Sequence, residues 1–115
     1  VAPSTTSDRL AKVTSECSGF IYAASLMGVT GTRDAVSANA SSLVSRIRST
    51  SNTPVAVGLG VSTKEQAKVV ASYADGVIVG SAFIKLIQEN GAGRSGLKKV
   101  KKLAQSLSEG VRDGR

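Results

Sequence analysis

Apolar residues fall along this chain in two rhythms. Short runs rich in β-branched side chains stand at Phe20-Ile-Tyr-Ala-Ala-Ser25, Pro54-Val-Ala-Val-Gly-Leu-Gly60 and Gly76-Val-Ile-Val-Gly80. The second and third are apolar almost without interruption, the pattern of strands buried on both faces of a parallel sheet. Elsewhere apolar positions recur every three or four residues, which predicts helices. One helix runs from Asp8 to about Cys17, capped by Thr6 or Ser7, with Leu10, Val13 and Cys17 on one face. A second spans Ser41 to Arg48, with Leu43, Val44 and Ile47 turned inward. Ser62-Thr-Lys-Glu65 reads as a capping box that opens a third, through about Ser72, with Ala67, Val70 and Ala71 inward. Gly80 to Asn90 forms a short helix directly off the third strand, stopped by Gly91. Residues 94–115 read as one amphipathic helix whose stripe is Leu97, Val100, Leu103, Ala104, Leu107 and Val111.

Alternation of helix and strand predicts an α/β fold of parallel βαβ units with right-handed crossovers. Val1-Ala2-Pro3 reads as the exit of a strand whose beginning is missing. Three strands and a stub cannot close a barrel, and an open sheet so small exposes two edges. The expectation is the second half of something larger.

Composition narrows the chemistry. The 115 residues carry 15 Lys+Arg against 8 Asp+Glu, a net charge of +7, with one cysteine and no histidine. Without histidine, this chain can supply no Ser-His-Asp triad, no His general base and no His metal ligand. One cysteine excludes an internal disulfide framework and a thiolate zinc site. No apolar run approaches the ~18 residues of a membrane span, and no basic-then-apolar leader opens the chain, so a reduced, cytoplasmic compartment is expected. Most of the excess charge sits in residues 94–115, where Lys98, Lys99, Lys101 and Lys102 lie around and away from the apolar stripe. None of the four aromatic residues alternates with these lysines, so no base-stacking nucleic-acid platform is expected. The patch reads as the solvated face of a terminal helix.

Glycines mark the candidate site. In α/β proteins ligands sit at the carboxyl ends of the parallel strands. Here Gly28-Val-Thr-Gly31 follows the first strand, Gly58-Leu-Gly60 ends the second, and Gly80-Ser81 ends the third and opens a helix. Glycine lets backbone N–H groups approach a ligand, and a helix N-terminus adds unpaired donors and a positive dipole end, so together they predict a phosphate-type anion site. Ser81 reads as a phosphate donor, because no base is present to make it a nucleophile. Tyr22 shares a face with Phe20 and is either core or a phenol beside a ligand. Cys17 reads as inert core. None of the eight carboxylates stands at the carboxyl end of a strand. Asp34, in a loop, is the only one near the mouth, and Asp75 precedes its strand. A dinucleotide fingerprint at Gly58-Leu-Gly60 fails, since Thr63 stands where its third glycine belongs.

Tyr22-Ala-Ala-Ser25-Leu-Met-Gly28-Val-Thr-Gly31, Pro54-Val-Ala-Val-Gly58-Leu-Gly60-Val-Ser62-Thr and Ala74-Asp-Gly76-Val-Ile-Val-Gly80-Ser81-Ala resemble the second half of a tryptophan synthase alpha subunit. The resemblance covers nearly the whole chain, and Gly-Val-Thr-Gly after a Tyr-containing strand is its specific part. It implies that residues 1–115 are the C-terminal half of a single (β/α)8 TIM-barrel domain, strands six to eight with flanking helices after the end of strand five. It implies a lyase that cleaves indole-3-glycerol phosphate to indole and glyceraldehyde 3-phosphate. Indole then passes to a pyridoxal-phosphate beta subunit, the alpha subunit itself needing no cofactor, nucleic acid or membrane. By match of position, Gly31, Gly60, Gly80 and Ser81 bind the substrate phosphate, Thr30 belongs to the mobile loop and Tyr22 lines the pocket. Leu59 stands where an aromatic residue often packs near the indole. The family's catalytic Glu and Asp lie upstream of residue 1, so this chain alone is expected to be inactive. Another phosphate-binding barrel of biosynthesis, or a non-catalytic half-barrel binding module, are the alternatives.

Overall fold

The computed structural model describes residues 1–24, 33–58, 60–91 and 93–115, and of residues 33–38 only the backbone. Among the described residues the order is α1 Ser7–Glu16, β1 Ile21–Ala24, α2 Arg33–Arg48, β2 Val55–Gly58, α3 Lys64–Ala71, β3 Gly76–Ile78, α4 Ser81–Asn90 and α5 Arg94–Gly114. The strands are parallel, in the order β1-β2-β3. Successive right-handed crossovers between adjacent strands place their helices on one side of the sheet, whereas a reversed order would place them on both.

Burial follows from this one-sidedness. Ile21, Ala23, Val55 and Val57 face the helices and are buried, while Tyr22, Ala24, Ala56 and Gly58 occupy the other, open face. Where the sequence reads as burial on both faces, β2 alternates buried with half-buried positions and β3 is half-buried throughout among the described residues. The core joins those sheet residues to Leu10 of α1, Leu43, Val44 and Ile47 of α2, Ala67 and Val70 of α3, and Leu107 of α5. Each large aliphatic side chain here contributes about 1.5–3 kcal/mol relative to exposure.

Val1 lies along the outer edge of β1. Its ammonium donates to Tyr22 O at 2.8 Å, and its carbonyl accepts from Ala24 N at 2.7 Å. Both groups of one residue are used, as in a parallel ladder. Arg46 holds this segment to α2 by donating to the carbonyls of Pro3 and Thr5.

The helices depart from expectation in instructive ways. On α1 the buried pair is Leu10 and Thr14, while Val13 is 42% exposed. Thr14 is tolerated inside because its hydroxyl donates to Ala11 O and meets Thr50 Oγ1. Cys17 is not on the helix but caps it, half-buried against the core. Helix α2 begins at Arg33, eight residues before the predicted start, so Asp34 lies in its first turn rather than in a loop. The capping box is Thr63 with Gln66, one residue beyond the predicted pair. Gln66 N donates to Thr63 Oγ1 at 3.2 Å, and Gln66 Oε1 accepts from the N–H groups of Ser62 and Thr63. Helix α4 runs between Gly80 and Gly91, whose φ of 75° ends it. On α5 the predicted stripe holds at Leu103, Leu107 and Val111 but not at Leu97, which is 62% exposed.

At the amino ends of the strands, Asp75 joins two of them. Its carboxylate accepts from Val55 N at 2.9 Å and from Arg48 at 3.2 Å, and its own N–H donates to Val55 O. The Val55 N–H first, then Arg48 and Arg115, hold this carboxyl below its ordinary range. Among the described residues no helix is long and apolar enough to cross a membrane.

Candidate functional site

The carboxyl ends of the three strands are level, with Ala24 beside Gly58 and Gly58 beside Ile78. Here the backbone opens toward ligand in two places. Gly60 adopts φ 63°, a left-handed conformation that glycine reaches without strain. Gly80 caps α4 with no side-chain cap bond, and no acidic residue follows in the first turn. The Gly80 carbonyl accepts from Phe83 N and Ile84 N, so the N–H groups ahead of them point off the helix end. No described atom lies within 4 Å of where a Gly80 Cβ would stand.

Gly58 has a different reason to be glycine. Tyr22 extends diagonally across the open face, and a Cβ at Gly58 would fall 2.5 Å from its Oη and 2.9 Å from its Cζ. The Tyr22 ring therefore lies over the end of β2. It is 47% exposed among the described residues and stands at the carboxyl edge of the sheet.

Between the loop after β2 and α4 runs a groove of about 560 Å³, with Ser62, Ser81, Lys85 and Glu89 among its lining residues. A smaller apolar hollow of about 300 Å³ lies on the helix side of β3, between Val77, Phe83 and Leu107. It belongs to the core layer rather than to the strand ends.

The structure thus brings Tyr22, Gly60, Gly80 and Ser81 to one edge of the sheet. Gly31, Thr30 and Leu59 lie outside the described residues. Sequence reasoning missed Ser62 and Lys85; the four-residue step from Ser81 to Lys85 was the available signal. Asp75 sits at the opposite edge, tied to Val55 and Arg48. Among the described residues, no group of three His, Cys, Asp or Glu side chains could hold a metal ion. What the edge offers is neutral N–H and O–H donors in front of a helix dipole, which suits an anion.

A family model described as "Tryptophan synthase alpha chain" matches residues 1–112. The tryptophan synthase alpha chain of Streptomyces coelicolor is 57% identical over 112 residues, covering 97% of this chain and 41% of that protein. That of Acidothermus cellulolyticus is 52% identical, with the same coverage of 97% and 41%. Among solved structures, tryptophan synthase from Mycobacterium tuberculosis superposes with a TM-score of 0.80 at 46% identity, covering 97% of this chain and 40% of that one. A mutant tryptophan synthase alpha-subunit from Pyrococcus furiosus gives 0.75 at 36% identity, covering 94% and 42%. The chain spans about two fifths of the length of the curated relatives it matches.

Proposed function

From a chain that belongs to the tryptophan synthase alpha chain family, we propose a specific part of that subunit. Residues 1–115 are the C-terminal half of its single (β/α)8 domain, comprising the end of strand five, strands six to eight and their helices. Val1 in ladder position on the β1 edge supports this, since it stands where the preceding strand of a barrel would run.

The chain provides the phosphate grip for indole-3-glycerol phosphate. The observation that carries this reading is the convergence of Gly60 and the Gly80-Ser81 helix start on one sheet edge, with α4 left uncapped by any side chain. Donors fixed before the ligand arrives cost no reorganisation, and a helix N-terminus favours the phosphate charge. The N–H groups of Gly60, Gly80 and Ser81 and the Ser81 hydroxyl take the phosphate oxygens. Gly31 completes the set, Thr30 belongs to the loop that closes over it, and Tyr22 and Leu59 flank the indolyl portion.

In the whole subunit this grip anchors a substrate whose retro-aldol cleavage gives indole and glyceraldehyde 3-phosphate. The acid and base for that step come from the part of the barrel before residue 1. The family needs no cofactor. Indole is passed to a pyridoxal-phosphate beta subunit, and the pair works in the cytoplasm.

An amide-resolved NMR titration of the chain with glycerol 3-phosphate tests the grip. Saturable shifts at Gly60, Gly80 and Ser81 are expected, and a dispersed spectrum with none there refutes it. The same preparation should cleave no indole-3-glycerol phosphate, and turnover by rigorously purified chain would refute the division of labour.

A further inference from the structure

Lys85 stands one turn beyond Ser81 on α4, so both side chains leave the same face of the helix. Helical side chains lean toward the N-terminus of their own helix, which puts the Gly80-Ser81 end within reach of the Lys85 stem. Both residues line the groove of about 560 Å³, with Ser62 also on its wall. Lys85 is exposed and makes no hydrogen bond or ion pair with any described residue. Lys64 and Lys99, by contrast, are engaged, with Glu109 and Asn90 respectively. Glu89, one further turn along, lines the same groove. Along α4 the groove therefore carries Ser81 at the strand ends, Lys85 one turn on and Glu89 a further turn away, so the cation stands between the hydroxyl and the carboxylate.

Resting on the proposed phosphate site, we infer that Lys85 is a specificity-determining residue that gives the bound phosphate its countercharge. The donors of Gly60, Gly80 and Ser81 are neutral, and they recognise the shape of a phosphate. Preferring a dianion over a less charged ligand of the same shape takes a full positive charge within reach. A lysine suits this position because its ammonium is a mobile point charge on a flexible stem and demands no fixed bidentate geometry.

The test titrates the unsubstituted chain, Lys85→Gln and Lys85→Arg with glycerol 3-phosphate, following the Gly80 and Ser81 amides. Each is measured at about 0.01 and 0.15 M salt, between which the screening length falls from about 30 to about 8 Å. Lys85→Gln is expected to weaken binding about tenfold at low salt, the scale of one charge-assisted hydrogen bond. It should also flatten the salt dependence, while Lys85→Arg restores most of both. A glutamine variant that binds as tightly as the unsubstituted chain, or keeps its salt dependence, overturns the role of Lys85 and leaves the phosphate site standing. Absence of saturable shifts in the unsubstituted chain overturns both.

Discussion

Tyr22 and Gly58 belong to different strands, and only the parallel register brings the ring of one over the Cα of the other. Gly58→Ala should therefore destabilise the chain by about 1–3 kcal/mol, the usual cost of overpacking. Tyr22→Ala made alongside it should restore most of that loss, because the Tyr22 ring is what the new methyl meets. A double-mutant cycle by urea denaturation checks this, and additive losses would rule out the contact. Asp75 makes a second residue-scale case. Its folded carboxyl lies below its ordinary range, chiefly through the Val55 N–H and then Arg48. A depressed carboxyl contributes stability that is present above the unfolded value and is lost as pH falls through the folded one. The chain should accordingly lose stability below about pH 4. Asp75→Asn, which keeps an acceptor for Val55, should remove that acid limb and cost about 1 kcal/mol at neutral pH, since the half-exposed pair is screened by solvent. Acid titrations followed by circular dichroism separate the two chains. Neither coupling was legible in the sequence. Asp75 was readable only as preceding a strand, and Gly58 looked like one more glycine of the ligand edge.

Helices show where pattern reading succeeds and where it stops. Helix α4 was legible to within one residue, Gly80 capping rather than opening it, because glycines punctuate both ends. Helix α2 lost its first half because the polar, alanine-containing stretch from Asp34 to Ser42 carries no apolar period, although Ala40 is buried. The main contact of α5 was hidden for another reason: it is made by absent side chains. A Cβ at Gly110 would collide with Lys64 O, and one at Gly114 with Lys68 O, so two glycines a turn apart let α5 lie directly on the α3 backbone. Lys64 adds ion pairs to Glu109 and Asp113, of which Glu109 chiefly holds its ammonium above the ordinary range. Two effects oppose each other when Gly110 becomes Ala. Alanine favours the helix by about 1 kcal/mol, while the collision costs about 1–3 kcal/mol. Because the opposing atom is backbone, the collision should win, and Gly110→Ala should lower the denaturation midpoint. A raised midpoint would show that α5 sits less closely on α3 than described.

At the scale of the molecule, among the described residues β2 is bonded on both sides, β1 has only Val1 beyond it, and the outer edge of β3 has no partner. Hydrogen exchange should find the β2 amides the slowest of the sheet and those of β3 the fastest; equal protection of all three strands would mean that something covers the β3 edge. The alternation of helix and strand, the parallel sheet and the glycine-marked edge could all be read from residue order, because each depends on local pattern. The single-sidedness of the sheet could not, since it depends on strand order. Lys85 had only its four-residue step from Ser81 to mark it, and the groove beside it gives that step its meaning. Single-sidedness also divides the chain's positions between two settings. Along each strand, neighbours alternate between a side packed beneath the helices and a side that reaches the carboxyl edge. Ala23 answers to the first and Tyr22 to the second, though they are joined by one peptide bond. A substitution at Ala23 is thus felt first in the packing beneath the helices, and one at Tyr22 first at the strand ends, where its ring meets Gly58.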